Sequence, residues 1–217
     1  MIWIVIGGLA AVLYGAKLTH EPVSTLRSLT KISASFALVL SAVSLGAPWL
    51  IIVGLVFGVI GDGFLSRNAS VGFLPGLAAF LFGHLVYLYW AVFVLMELPA
   101  VNVHWLMFIG ISALTLVSLL LLKRWWSKLD GLHLPVSLYV VISISLGGAA
   151  LVLAGQGLEQ TFSLGVAVFV LSDIILAESL FMMTPGSPKY RLSASTLWAL
   201  YWLGQLGILL GSIGLAN

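Results

Sequence analysis

Long apolar runs separated by short polar segments dominate the hydrophobic pattern of this chain. A bilayer core of about 30 Å takes roughly 20 apolar residues in a helix, and backbone groups in lipid must be bonded within the segment. The pattern therefore predicts eight helices, at 2–19, 30–45, 48–66, 71–95, 103–122, 135–154, 160–181 and 194–215. Because the connections are short, we expect an all-α polytopic membrane protein in which 1–217 is a single transmembrane helical domain.

The composition agrees with this class. Hydrophobic residues make up 61% of the 217 residues and charged residues only 7%, and the mean hydropathy is +1.18, which excludes a soluble domain. The net charge of +2 does not indicate nucleic acid as a partner. The run at 30–45 is short and rich in serine, so it is the weakest of the eight.

The positive charges predict the orientation. All nine basic residues fall in or beside the first, third, fifth and seventh loops, which the positive-inside rule places in the cytoplasm. Both termini should then face outward, and the N-terminus, which lacks a basic region, is predicted to be a spanning helix rather than a signal peptide. We expect a bacterial cytoplasmic membrane, or the endoplasmic reticulum in a eukaryote. The nine residues are Lys17, Arg27, Lys31, Arg67, Lys123, Arg124, Lys128, Lys189 and Arg191.

The numbers and positions of cysteine and histidine limit which nucleophiles and metal sites the chain can contain. The absence of cysteine excludes thiolate nucleophiles and cysteine-based metal sites. Three of the four histidines fall in loops or at span ends, so a zinc site would have to be assembled from His84 and aspartates across helices, and we expect no metal. A glycosylation sequon begins at Asn68, but it lies on the predicted cytoplasmic side and we regard it as accidental.

Two aspartates, Asp62 and Asp173, lie inside apolar runs. A carboxylate near the middle of a membrane span costs about 2.5–3.5 kcal/mol on insertion scales. A neutral asparagine would serve helix association at lower cost, so the two aspartates are the first candidates for a functional site. Their structural alternative is that they pair with polar groups on neighbouring helices.

Spacing around the aspartates predicts that both point into the bundle. Gly54 and Gly58 precede Asp62 at intervals of four and share its helix face, which would let a neighbouring element approach closely. Gly165 stands eight residues before Asp173, as Gly54 stands before Asp62. The two segments belong to the third and seventh helices, so a parallel four-plus-four duplication is one interpretation.

Further polar side chains accompany the aspartates. The helix directions place both aspartates in the cytoplasmic half, with His84 and Gln205 near mid-depth and Lys31 and Tyr139 at the cytoplasmic ends of their helices. Tyr87 shares a face with His84. These groups would form a polar pocket with walls for a lipid chain. Each also has a structural alternative: histidine and glutamine as interhelical hydrogen bonders, the tyrosines as packing residues, and the lysine as a snorkelling anchor.

Glu178 is a weaker candidate. It follows Asp173 by five residues, which turns it about 140° around the helix. We expect it near the cytoplasmic interface and outside the pocket.

Five segments together carry a resemblance to a known family. They read Gly-Leu-Val-Phe-Gly-Val-Ile-Gly-Asp-Gly-Phe-Leu from Gly54, Gly-Leu-Ala-Ala-Phe-Leu-Phe-Gly-His-Leu-Val-Tyr from Gly76, Leu-Pro-Val-Ser-Leu-Tyr-Val from Leu134, Val-Phe-Val-Leu-Ser-Asp-Ile-Ile-Leu-Ala from Val168 and Tyr-Trp-Leu-Gly-Gln-Leu from Tyr201. In order and spacing the chain resembles the YhhN-type membrane proteins, which include the lysoplasmalogenases. The last segment departs from the family pattern Thr-Tyr-Tyr-x-x-Gln around Tyr201 but retains the glutamine.

The resemblance implies hydrolysis of the vinyl-ether bond of a lysoplasmalogen to a fatty aldehyde and a glycerophospho-alcohol. It implies Asp62 and Asp173 as the essential pair, with no cofactor. A protonated carboxyl would donate to the vinyl-ether carbon, and an ionised one would stabilise the oxocarbenium ion and deprotonate the attacking water. His84, Tyr139, Tyr87 and Gln205 would orient water or the glycerol oxygens.

Lys31 would meet the headgroup phosphate in this interpretation. The expected partners are therefore a lysophospholipid and the surrounding membrane lipids. The headgroup preference and the oligomeric state stay open.

Two other functions compete with hydrolysis. Buried aspartate, histidine and glutamine also build proton relays in transporters. Transporters often place sites at broken helices, whereas all seven prolines here lie at predicted span ends or in loops. A non-catalytic lipid-binding protein is the third possibility.

Overall fold

The computed structural model describes residues 1–67, 69–158 and 160–216. Asn68 of the sequon lies outside the described residues. The described residues form eight α-helices and two short 3₁₀ turns, Leu18–His20 and Trp126–Lys128, with no β-strand. The helices are α1 (Ile2–Ala16), α2 (Thr25–Ser44), α3 (Trp49–Leu65), α4 (Ala69–Glu97), α5 (Trp105–Trp125), α6 (His133–Gly155), α7 (Thr161–Met182) and α8 (Pro188–Ala216). The prediction of an all-α protein with eight helices is confirmed.

The predicted starts of two helices are wrong. Helix α2 begins at Thr25 rather than at 30, and Ser24 caps it by accepting a hydrogen bond from the backbone N–H of Arg27 at 3.2 Å. Helix α8 begins at Pro188 rather than at 194, after Ser187, which accepts from the N–H of Tyr190 at 3.2 Å. Both first turns are polar, so a pattern of apolar residues misses them. Lys31 consequently lies in the second turn of α2 and not at its start.

Six of the eight helices are long and apolar enough to cross a membrane. The other two, α1 and α3, have 15 and 17 residues. Helix α5 is the most peripheral, because only 6% of the residues in its most apolar 18-residue stretch are buried within the protein. Pro75 lies in the second turn of α4, close to its N-terminal end.

The helices pack mainly as sequential pairs: α1 with α2, α3 with α4, and α7 with α8. The α7–α8 contact is backbone against backbone, because a Cβ placed on Gly165 would lie 2.4 Å from the backbone nitrogen of Ile208. Only glycine permits that approach. The close pairing fixes the position of α7, and therefore of Asp173, relative to α8.

Consecutive helices run in alternating directions. One cavity is lined by the C-terminal parts of α1, α3 and α7 together with the N-terminal parts of α2, α4 and α8. A neighbouring cavity adds the C-terminal part of α5 and the N-terminal part of α6. The polar chemistry of the chain is therefore gathered towards one end of the bundle.

Candidate functional site

Asp62 and Asp173 line the same cavity, which has a volume of about 380 Å³. Asp62 comes from the last turns of α3 and Asp173 from the second half of α7. The charged residues in the wall are these two aspartates and three basic residues, Arg27, Lys31 and Arg67. Sequence spacing alone could not show that the two aspartates line one cavity.

Asp62 is held in a buried ion pair. Its Oδ1 lies 2.9 Å from Nζ of Lys31, with the side chains only 1% and 12% exposed respectively. Its Oδ2 accepts a short hydrogen bond from the hydroxyl of Ser35, one turn further along α2. Tyr201 of α8 is an electrostatic neighbour of the same carboxyl group. A cation and a hydroxyl donor thus both stabilise a negative charge on Asp62.

The glycine face of α3 explains how Asp62 comes to point inward. A Cβ on Gly58 would lie 3.0 Å from both the Tyr201 hydroxyl and Nε2 of Gln205, and one on Gly54 would overlap the ring of Tyr87. Large polar side chains from α4 and α8 therefore fill the space above the two glycines. The predicted close approach along this face is confirmed, and the groups that face the missing side chains of Gly54 and Gly58 are the side chains of α4 and α8.

Asp173 has a different neighbour, the imidazole of His84. Oδ2 of Asp173 lies 3.0 Å from Nε2 of His84, which is fully buried, while the aspartate side chain is 15% exposed. The distance is that of a hydrogen bond, yet neither atom makes one with acceptable geometry, so the ring N–H direction does not point at the oxygen. The pair is therefore a close contact, and the partners of the other ring nitrogen of His84 decide which atom carries a proton.

The second ring nitrogen of His84, Nδ1, has clear hydrogen-bond partners. Its Nδ1 lies 2.9 Å from the backbone carbonyl oxygen of Phe80 and 3.4 Å from the hydroxyl of Tyr139. The phenol of Tyr139 also interacts with Asp173. The ring of Phe169 packs on the imidazole with centroids 4.6 Å apart. His84 and Tyr139 thus surround Asp173 from α4 and α6.

Tyr87 and Gln205 form a third buried unit. The Tyr87 hydroxyl donates to Oε1 of Gln205 at 2.7 Å, and the two residues are 0% and 2% exposed. Neither lines the cavity that holds the aspartates. The structure therefore places them behind the cavity wall, where they join α4 to α8.

The helices that surround one aspartate correspond in chain order to the helices that surround the other. Asp62 of α3 is flanked by Lys31 of α2 and Tyr201 of α8, whereas Asp173 of α7 is flanked by Tyr139 of α6 and His84 of α4. Exchanging α2 with α6, α3 with α7 and α4 with α8 converts one set into the other. This arrangement agrees with the four-plus-four duplication, which stays a prediction. The side chains differ between the halves, so the two carboxyl groups have different chemistry.

An apolar cavity of about 70 Å³ adjoins the polar one. Asp173 lines both cavities, as do Leu65, Phe73 and Phe80. The remainder of its wall is largely aliphatic and aromatic and comes from α4, α5, α6 and α7. A carboxyl group at the boundary between a charged cavity and an apolar one can meet the junction between the headgroup and the chain of an amphiphile.

Glu178 lies outside the site, as the helix rotation predicts. It accepts hydrogen bonds from Nη2 of Arg124 at 2.7 Å and from Nε1 of Trp125 at 2.9 Å. It lines neither cavity. Its contacts join the end of α5 to α7.

Sequence reasoning missed three contributors to the site. Ser35 had no signal beyond being a serine one turn from Lys31. Arg27 and Arg67 were used only for orientation, yet they line the cavity, and the buried Nε of Arg27 has no hydrogen-bond partner among the described residues. The available signal was that Arg67 follows Asp62 by five residues and Arg27 precedes Lys31 by four, which is about one helical turn.

Metal binding has no support in the described part of the chain. No group of three histidine, aspartate or glutamate side chains there is placed to hold a metal ion.

The fold and the site define a class: an all-helical, membrane-type protein with two carboxyl groups at one internal cavity. Residues 26–212 match the YhhN family, which is most of the 217-residue chain, so this protein belongs to the YhhN family. No curated protein and no solved structure matches the chain.

Proposed function

We propose that this protein is a lysoplasmalogenase, an intramembrane hydrolase of the vinyl-ether bond of alkenyl lysophospholipids. The products would be a fatty aldehyde and glycerophosphoethanolamine or glycerophosphocholine. The observation that carries the proposal is the placement of Asp62 and Asp173 at one cavity, with an apolar cavity beside Asp173. Membership of the YhhN family supports it.

The chemistry of a vinyl ether needs two carboxyl groups in opposite protonation states. Adding a proton to the β-carbon produces an oxocarbenium ion, which water captures to give a hemiacetal that collapses to aldehyde and alcohol. Proton donation requires an acid, while the cation and the attacking water require a negative charge or a base nearby. Asp62 and Asp173, with a lysine beside one and a histidine beside the other, have the asymmetric surroundings that this division requires.

The phosphate of the substrate would bind Arg27 and Arg67. Lys31 was expected to meet it, but its ammonium group is already 2.9 Å from Asp62. Neither arginine forms an ion pair with any described residue, and both line the cavity. Guanidinium groups suit phosphate because their planar N–H groups can bind two oxygens at once.

The headgroup site can be tested by kinetics. Arg27→Gln and Arg67→Gln should raise KM for the lysophospholipid several-fold more than they lower kcat, whereas the exposed Arg191→Gln serves as the control. An alkenylglycerol without phosphate should show little dependence on either arginine. Equal effects on both substrates would contradict the phosphate site.

The topology belongs to the same proposal. Both termini would face outward, and the cavity would open towards the cytoplasmic half of the membrane. The support is that all nine basic residues lie in or beside the loops at one end of the alternating helices.

One observation favours a different function, proton-coupled transport. The buried contact between His84 and Asp173 is also what a proton relay would contain. Reconstituted vesicles would distinguish the two, since a transporter moves protons or solute without releasing aldehyde.

The decisive experiment measures fatty-aldehyde release by the purified protein. Lysoplasmalogen is compared with its saturated alkyl-ether analogue, using wild type, Asp62→Asn and Asp173→Asn. We expect aldehyde from the vinyl ether only, and a loss of at least a hundredfold in both variants. Full activity in either folded variant, or no aldehyde from folded wild type, would refute the proposal.

A further inference from the structure

The tautomer of His84 follows from its contact with Phe80. A carbonyl oxygen can only accept, so the Nδ1 atom 2.9 Å away must carry a hydrogen. If the imidazole is neutral, its Nε2 is then an unprotonated acceptor. That atom faces Oδ2 of Asp173 at 3.0 Å.

A proton must therefore reside on one of these two facing atoms. Two unprotonated acceptors repel each other at 3.0 Å, and in a buried site no solvent relieves that repulsion. Either Asp173 is a carboxylic acid beside neutral His84, or it is a carboxylate beside an imidazolium.

The environment favours the carboxylic acid. Oδ2 lies off the direction in which Nε2 either donates or accepts, so the direction of the contact does not distinguish the two forms and burial has to. The imidazole is fully buried between Phe169 and Tyr139, with centroid distances of 4.6 and 4.9 Å. Separating charge in such surroundings costs more than keeping the pair neutral.

Asp62 has the opposite arrangement. Lys31 lies 2.9 Å from one carboxylate oxygen and the Ser35 hydroxyl donates to the other. Both contacts stabilise the ionised form. A protonated Asp62 would leave the ammonium group of Lys31 without its counter-ion in a site where it is only 12% exposed.

We infer that Asp173 is the general acid, with His84 as the residue that keeps it protonated, and that Asp62 is the carboxylate that is ionised before each turnover. This assignment rests on the proposed function and gives each aspartate its role. Its geometric basis is the pairing of Lys31 with Asp62 and of His84 with Asp173.

The proton balance closes over one turnover. Asp173 gives its proton to the β-carbon, whose π electrons form the new C–H bond, and the oxocarbenium ion is stabilised by Asp62. Water adds to the cation and its released proton passes to Asp62. When the hemiacetal collapses, its hydroxyl proton returns to Asp173 and Asp62 protonates the departing glycerol oxygen. Both residues regain their starting states, and the net reaction consumes one water.

The chain is suited to a direct spectroscopic test because it contains only three aspartates, Asp62, Asp130 and Asp173. Infrared spectra of protein labelled with ¹³C at the aspartate carboxyl carbon separate protonated from ionised groups. We expect one labelled carboxylic-acid band in wild type that persists in Asp62→Asn and disappears in Asp173→Asn. Asp130→Asn is the matched control, because Asp130 is exposed with a φ of 38° that asparagine also adopts.

A second variant keeps the test decisive if Asp173→Asn does not fold. Lys31→Met removes the counter-ion of Asp62, so a second labelled carboxylic-acid band should appear. Loss of the band in Asp62→Asn, absence of the band in wild type, or an unchanged spectrum in Lys31→Met would each overturn the assignment.

The same samples separate this inference from the proposed function. Aldehyde release with the acid band on Asp62 would leave the hydrolase intact and overturn the assignment. An acid band on Asp173 without aldehyde release would leave the protonation states intact and overturn the hydrolase.

Discussion

Burial, rather than distance, should decide how strongly an ion pair stabilises this protein. The chain contains a buried pair, Lys31–Asp62, with 2.9 Å between charged atoms and side chains 12% and 1% exposed. It also contains an exposed pair, Arg124–Glu178, at 2.7 Å with 56% and 25% exposure. The exposed pair is the shorter of the two. If distance decided the stabilisation, the exposed pair would contribute more, whereas if burial decided it, the buried pair would contribute more.

The distances between the charged atoms give the attraction energy of each pair. At an effective dielectric constant of about 20, charges 2.9 Å apart attract by about 6 kcal/mol. Desolvation offsets part of this, and removing one partner of a buried pair costs about 3–5 kcal/mol. At the dielectric constant of water, about 80, the exposed pair at 2.7 Å attracts by about 1.5 kcal/mol before screening. Exposed pairs contribute about 0.2–1 kcal/mol.

A double-mutant cycle measures the difference. Lys31→Met, Asp62→Asn and the double variant would be compared with Arg124→Met, Glu178→Gln and their double variant. The free energy of unfolding is followed by tryptophan fluorescence in mixed micelles of increasing denaturing detergent. We expect Lys31→Met to lose about 3 kcal/mol, because Asp62 must then lose its charge or keep it uncompensated. The double variant should recover much of that loss, with a coupling energy of about 2–3 kcal/mol against less than 1 for the exposed pair. Additive effects at Lys31 and Asp62, or equal coupling in both cycles, would refute the reasoning.

Two further substitutions test the packing around the site. Tyr87→Phe should lower the free energy of unfolding by about 1–2 kcal/mol, because it leaves the buried Oε1 of Gln205 without its donor. Tyr89→Phe, 63% exposed, should stay within about 0.5 kcal/mol, and equal effects would contradict this explanation. Gly165→Ala should cost about 1–3 kcal/mol, because its Cβ would lie 2.4 Å from a backbone atom of α8. Gly148→Ala, with its nearest neighbour at 3.9 Å, should be neutral or stabilising in the same assay, and a stable Gly165→Ala would show that α7 and α8 can separate.

Local sequence was sufficient for the helices and for one feature of the site. Long apolar runs require helices because lipid offers no hydrogen-bond partners, and eight helices are present in the described residues. The spacing of Gly54, Gly58 and Asp62 depends only on the helical repeat, and the structure buries Asp62 as that spacing predicts. Where helix ends depend on polar capping, as at Ser24, the apolar pattern misplaced them.

The sequence by itself determined that two carboxyl groups would occur within apolar helices and towards one end of the bundle, because composition and helical periodicity are local properties. Only the tertiary structure decided their partners. Asp62 and Lys31 are 31 residues apart and Asp173 and His84 are 89 apart, and each pair meets only because the packing of the bundle brings their helices together. The proposed difference between the two aspartates rests on those partners, since a lysine stabilises a charge and a neutral imidazole accepts a hydrogen bond from a carboxylic acid.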